Sequence, residues 1–423
     1  MGPDHGRFDH HRPARGDLLR VGAAQSGLRA DGGGGEGVSE RSVTEPPVRI
    51  QDPDADVLAL LLPPLPAGDV DEVIEDALRA GLGGVVYFAH DVPTLARARE
   101  LSDRVHRANP DAVVAIDEEG GPVTRLFSRF SGLPGQARTE GPLPSAGVFG
   151  RVDDPELTRE AGVAMGAVLT WCGIDLDFAP VADVNSNPDN PVIGLRAYAA
   201  DPARVRTQSA AFAAGLHQAG VLSCAKHFPG HGDTATDSHH TLPTVEMPRD
   251  RFLAEHLAGF PLAEVDAVMT AHIEVPALGQ GPASISRWSA ELVAEQGFEG
   301  LVVTDALDMA AVSGTVGFPE SCVRALEAGA DLLCLGTSIR RDAHAMLDQA
   351  HGAIAAALAS GRLDRSDLQT RAVRVRAARA VRRVAAEVAD PTALTDELWR
   401  IGNLARVSAG LPALSPEAAA AGS

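Results

Sequence analysis

The stretch KHFPGHGDTATDSHHTLP, Lys226 to Pro243, places four histidines, two aspartates and a lysine within eighteen residues. Inside it, Asp237 and His239 are separated by one residue. A carboxylate hydrogen-bonded to an imidazole raises its pKa and orients it, which suits a general acid/base. The stretch also holds a set of metal-ligand types: His227, His231, Asp233 and His239. Against a metal site stand the lack of an HExxH or comparable spacing and the cation-repelling Lys226 at its head. A solvated loop with chance histidines is the third reading.

Two more motifs end apolar runs with a carboxylate. In VVTDALDM, Asp305 closes a β-branched run, which would hold a nucleophile or electrostatic stabiliser at a rigid strand end. An aspartate at such a junction also caps helices, and Asp308 suits that use better than Asp305. In AIDEEGGPVTRL, Gly120 and Gly121 permit a sharp turn that brings Arg125 back toward Asp117. The two could bind sugar hydroxyls together or form a buried structural ion pair, and the pattern leaves both open.

These residues need a frame. Eight short apolar runs recur between longer helix-like patterns: DVLALLL, GVVYFA, AVVAID, GIDLDFAP, VLSCAKHF, AVMTAH, LVVTDAL and DLLCLG. Apolar runs without strict alternation suit strands buried on both faces of a parallel sheet. Eight such units predict an α/β fold, a (β/α)8 TIM-type barrel forming a single catalytic domain. A doubly wound open sheet is the alternative, but LLLPPLPAG after the first run lacks its glycine fingerprint. In a barrel, function gathers where strands end. Asp117, Glu118 and Glu119, Asp177 and Asp183, Lys226 and His227, His272, and Asp305 all stand at such ends.

The expected organisation is a disordered extension over 1–48, the barrel over 49–390 and a C-terminal tail over 391–423. The arginines of RSDLQTRAVRVRAARAVRRVAAEVA are expected on a solvated helix face. A formal net charge of −20 in 423 residues, with a pI near 5.1, argues against nucleic acid or an anionic membrane surface as partner. The four cysteines, Cys172, Cys224, Cys322 and Cys334, have no metal-like spacing and read as reduced core residues. No apolar stretch reaches membrane-spanning length and the N-terminal residues lack a signal-peptide core, so a cytoplasmic location is expected.

The order of AIDEEGGPVTRL, GIDLDFAPVADVN, NPVIGLRAY, the Lys226–Pro243 stretch, VMTAHI and VVTDALDM resembles glycoside hydrolase family 3, most closely its β-N-acetylhexosaminidase branch. The resemblance covers roughly residues 50 to 390. It implies Asp305 as nucleophile and His239, partnered by Asp237, as acid/base. It implies sugar contacts from Asp117, Arg125, Arg196, Lys226 and His227. It further implies a retaining hydrolase of terminal N-acetylglucosamine linkages in small or oligomeric substrates, with no metal or cofactor, and a role in muropeptide recycling. Phosphorolysis by the same residues, or metal-dependent hydrolysis by the histidine loop, are the alternatives. Pro122, Leu195-Arg196-Ala197-Tyr198 and His90-Asp91 depart from the family pattern, which bears on substrate preference rather than on the core chemistry.

The catalytic-loop and metal readings differ in one simple measurement. Turnover is expected to survive EDTA treatment followed by desalting. Loss of activity that zinc restores would favour the metal reading.

Overall fold

The computed structural model describes residues 50, 52–128, 141–236, 241–381 and 390–414. The expected extension over 1–48 lies outside the described residues. Helix α1 (Ala55–Leu58) leads into strand β1 (Leu61–Leu62), followed by α2 (Glu72–Arg79), β2 (Gly84–Tyr87), α3 (Leu95–Ala108) and β3 (Val113–Ile116). Helices α4 (Ala146–Val152) and α5 (Pro155–Cys172) precede β4 (Leu176–Asp177), and α6 (Pro202–Gln218) precedes β5 (Leu222–Phe228). Then come α7 (Arg249–Glu255), β6 (Ala267–Thr270), α8 (Arg287–Glu295), β7 (Leu301–Thr304), α9 (Ala310–Val316), α10 (Phe318–Glu327) and β8 (Leu333–Cys334). Helices α11 (Ala343–Ala359), α12 (Arg365–Val381) and α13 (Pro391–Ser408) complete the described elements.

The strands form a curled parallel sheet in an α/β fold. Strands β2 to β7 pair in sequence order, and β1 pairs with β8. Single bridges link Pro64 to Val86 and Val303 to Leu332. Every strand residue is buried, because side chains on one face fill the curl and those on the other meet the helices. Each expected apolar run contains a strand, but DVLALLL begins as helix. Asp54 accepts hydrogen bonds from the Asp56 and Val57 amides, and this cap starts a helical turn before the chain extends. Gly173 ends α5 at φ 74°, the left-handed cap that glycine enters without steric cost.

Three aspartates tie the strands together at their N-terminal ends. Asp175, one residue before β4, accepts the Val114 amide of β3. Asp266, just before β6, accepts the Ser223 amide of β5, and Asp331, before β8, accepts the Val302 amide of β7. Each strut carries a cationic or imidazole partner. Asp175 meets His106 and Arg379, Asp266 meets His217, and Asp331 meets Arg374. The arginines of α12, expected on a solvated face, therefore reach into the bottom of the sheet. Arg371 also donates to the Leu326 and Ala330 carbonyls, and Arg376 to Asp56. Helix periodicity shows which residues share a face, but not that the face covers acidic strand ends.

Part of the segment expected to be a tail is also packed. Helix α13 buries Leu398, Ile401 and Ala405 against the body, and Gly402 lets it approach the Pro142 carbonyl, which a Cβ would meet at 2.0 Å. All four cysteines are buried and free. No helix among the described residues is long and apolar enough to cross a membrane.

Asp175→Ala should lower unfolding stability by roughly 2–4 kcal/mol, since it strands the Val114 amide, His106 and Arg379 together. Urea denaturation monitored by circular dichroism checks this. An unchanged midpoint would show that the strut is dispensable.

Candidate active site

The C-terminal ends of β3, β5 and β7 converge on one cleft of about 530 Å3. Its floor is an ion-pair network around Lys226. This residue lies within β5, 1% exposed, and its ammonium donates to Asp117 Oδ1 and Glu119 Oε1, both at 2.6 Å. Asp117 also accepts from Arg125 at 2.9 Å, across the turn that Gly120 and Gly121 make at positive φ. Glu119 holds the Arg196 guanidinium in a two-point grip, with Oε2 to Nε at 2.8 Å and Oε1 to Nη2 at 2.7 Å.

Two carboxylates thus face three cations, and donors are in excess. Burial alone would raise both carboxyls. Lys226 and Arg125 outweigh it at Asp117 and hold that group well below the usual carboxylate range. Arg196 and Lys226 hold Glu119 at about 2. Burial would likewise lower Lys226, but Asp117 and Glu119 keep it above the ordinary lysine value. The network is therefore fully charged at neutral pH.

His227 extends the wall. Arg196 Nη2 lies 3.3 Å from His227 Nε2, and a guanidinium only donates, so Nε2 accepts. The proton then sits on Nδ1, which donates to Asp183 Oδ2 at 2.7 Å. Asp183 also accepts the His231 amide at 2.6 Å. Burial works against its ionisation, but His227 and His231 hold Asp183 at about 2. Across the cleft, Asp305 directly follows β7. Its amide donates to the Thr270 carbonyl, and its Oδ1 accepts the Ala306 amide at 2.7 Å. His272 bonds the Ala306 carbonyl through Nε2 at 2.9 Å and Ser284 through Nδ1 at 2.6 Å, which fixes the backbone beside Asp305.

A nucleophile-capable carboxylate facing a wall of charged donors and acceptors is a site for a hydroxyl-rich ligand. The family profile described as "Glycosyl hydrolase family 3 N terminal domain" matches residues 59–378. The chain belongs to glycosyl hydrolase family 3. Beta-hexosaminidase A of Pseudoalteromonas piscicida is 34% identical over 332 residues, 72% of this chain and 54% of that protein. The chain thus spans about half the length of that relative. Beta-hexosaminidase of Tolumonas auensis is 35% identical over 274 residues, covering 63% of this chain and 79% of its own. The structure of a family 3 beta-N-acetylglucosaminidase from Paenibacillus sp. str. FPU-7 superposes with a TM-score of 0.74 at 33% identity, covering 84% of this chain and 68% of that one.

Of the residues singled out in this family 3 sequence, Asp117, Arg125, Arg196, Lys226, His227 and Asp305 all line the cleft. Asp237 and His239 lie outside the described residues. Three of the four ligands in the metal reading have other partners. His227 bonds Asp183, His231 bonds Thr234 Oγ1 at 2.8 Å, and Asp233 accepts from Ser186 at 2.7 Å. No group of three or more ligand-type side chains gathers around a metal-sized space among the described residues. Asp308 does not cap a helix. It is buried, accepts the Thr337 amide and pairs with Arg340, while Met309, at the N-cap before α9, gives that helix no side-chain cap.

Glu119 and Asp183 were visible as strand-end acids, but their bridging roles were not. Their partners lie far along the chain, and only the fold joins them. Asp177 and Glu118 form a layer beneath the floor. Asp177 accepts the Glu118 amide, and Glu118 Oε2 accepts the Arg125 and Leu126 amides, which shapes the loop that returns Arg125. Burial pushes Glu118 up to about 7 and Asp177 well above the usual value, and the neighbouring Glu118 and Asp117 carboxyls raise Asp177 further.

A raised carboxyl favours the fold while it is protonated. The Glu118 contribution is fully present below its unfolded value of 4.5 and is lost as pH rises through about 7. Glu118→Gln, which keeps an acceptor for both amides, should therefore gain stability relative to the parent between pH 5 and pH 8, by up to about 3 kcal/mol. Paired denaturation curves at the two pH values check this. A constant difference would contradict the assigned shift.

Proposed function

We propose that the protein is a retaining β-N-acetylhexosaminidase that removes terminal non-reducing N-acetylglucosamine from small or oligomeric β-linked substrates. The observation that carries this reading is Asp305, held at a strand end opposite the Lys226-centred network in one cleft. The hexosaminidase names of the relatives support the sugar. The bridges Pro64–Val86 and Val303–Leu332 support taking the two sheets as one closed (β/α)8 barrel with this cleft at its mouth.

Asp305 attacks the anomeric carbon and forms a covalent glycosyl-aspartate, while the leaving oxygen receives a proton. Its Oδ1 is tied to the Ala306 amide, so the carboxylate is oriented before substrate arrives. Asp117, Arg125, Arg196, Lys226 and His227 hold the sugar by hydrogen bonds from charged groups. Their mutual ion pairs fix each donor in place and leave little reorganisation for binding.

His239 is the acid and later the base, oriented by Asp237. The loop that carries them is anchored at its root. The Asn190 amide donates to the His231 carbonyl and Asn187 to the Thr234 carbonyl. At its far end, Val245 and Pro243 exchange backbone hydrogen bonds with Glu274. A neutral imidazole does not repel anions as a carboxylate would, so phosphate is the rival acceptor to water. Hydrolysis is the reading adopted, and free N-acetylglucosamine should exceed the 1-phosphate when turnover is run in phosphate buffer.

Asp305→Ala should abolish turnover of aryl and oligosaccharide substrates alike, because the first bond-breaking step needs the nucleophile whatever leaves. In the parent, a slow 5-fluoro N-acetylglucosaminyl donor should add one sugar mass to the peptide containing Asp305. An adduct on another residue would move the nucleophile.

His239→Ala should spare activated aryl leaving groups and slow sugar leaving groups by roughly 100- to 10,000-fold in single-turnover rate. Equal losses on both would remove His239 from the acid role.

A further inference from the structure

The cleft changes character from floor to mouth. Among the described residues, its charged side chains are buried or half-buried, whereas the exposed side chains that line it are Pro122, Pro191 and Leu195. Val123 and Val192, half-exposed, stand beside them. A single exposed leucine on a protein surface needs no explanation. A rim whose described exposed residues are all apolar, above a floor with at least five charged groups, is a different matter. This acidic chain puts charge on much of its surface, but among the described residues none of the exposed ones lining this mouth is charged.

The rim is also held rigid. Leu195 is 72% exposed, yet it sits in a tight turn, Gly194–Arg196, fixed from both sides. Asn190 is buried and accepts the Val192 and Ile193 amides, while its amide group donates to His231 and Thr234. Arg196, gripped by Glu119, donates to the Val192 carbonyl. Gly147 of α4 lets the helix lie against the turn, where a Cβ would come 3.1 Å from the Leu195 carbonyl. An exposed apolar side chain on a preorganised backbone loses little conformational freedom when a ligand covers it.

We propose that Pro122, Pro191 and Leu195 form the leaving-group subsite of the cleft, and that it takes an alkyl or aryl aglycone. This rests on the hexosaminidase reading, in which the sugar fills the charged floor and the glycosidic oxygen points outward. The leaving group then emerges between the three apolar side chains. A second sugar, or a peptide-bearing cell-wall fragment, would bring hydroxyls and carboxylates against Pro122, Pro191 and Leu195, the described exposed residues here, none of which is charged. An alkyl chain or aromatic ring instead removes apolar surface from water on both sides.

The test compares methyl, hexyl and 5-carboxypentyl β-N-acetylglucosaminides. Their leaving alcohols have nearly equal acidity, so differences in protonation cancel and the ratio of kcat/KM values reports contacts beyond the glycosidic oxygen. The hexyl substrate should exceed the methyl one by roughly tenfold or more. A terminal carboxylate should remove most of that gain. Leu195→Asp should bring the hexyl-to-methyl ratio near one, and Leu195→Met should retain the preference. Equal kcat/KM values in the parent, or a ratio unaffected by Leu195→Asp, would overturn the subsite alone. No turnover of any of the three would overturn the hexosaminidase reading and the subsite with it.

Discussion

A buried ammonium is the constraint on which the site depends. Lys226 points from the middle of β5 into the curl of the sheet, where removing a charge from water costs several kcal/mol unless partners replace the lost hydration. Asp117 and Glu119 are those partners, each at 2.6 Å. Both come from the loop after β3, so the lysine fixes that loop over the sheet. Once placed, the two carboxylates recruit Arg125 and Arg196. Arg196 in turn brings in the turn at Gly194 and sets the tautomer of His227. One charge in a low-dielectric position thereby organises side chains from three separate parts of the chain.

The same logic governs the opposite end of the sheet, with another outcome. Asp175, Asp266 and Asp331 accept amides of neighbouring strands and lie against His106 and Arg379, His217, and Arg374 respectively. Those groups make no cleft. They join strand to strand and bind α12 across the base, so the pairs at the bottom are structural while those at the top line open space. The division between a stabilising face and a functional face is the one expected of parallel α/β sheets. Here both faces use ion pairs, and what separates them is whether a cavity adjoins.

The layer beneath the floor shows how rigidity reaches the cleft. Glu118 and Asp177 are buried with raised proton affinity and spend their hydrogen bonds on backbone amides. They shape the Gly120–Gly121 turn from below while Lys226 holds it from above. His272 does the same for the Ala306–Leu307 peptide, one residue beyond Asp305. Groups that could titrate in the cleft are thus kept in place by groups that cannot reach the ligand.

Much of this was legible in the sequence, for a physical reason. Burial on both faces makes each strand a short apolar run, so the eight strands and the polar residues at their ends can be read in order. The residues at those ends, Asp117, Lys226, His227 and Asp305, are local facts of the chain. What the sequence could not contain is which end meets which. The grip of Glu119 on Arg196, the link from Asp183 to His227 and the reach of the α12 arginines to Asp175 and Asp331 all join residues far apart in the chain. Asp308 and the helical start of DVLALLL were settled by contacts of the same kind or by a cap two residues upstream. Composition and periodicity are properties of neighbours along the backbone and therefore determined the elements. Pairing of buried charges depends on distance through space, so only the folded chain decided it.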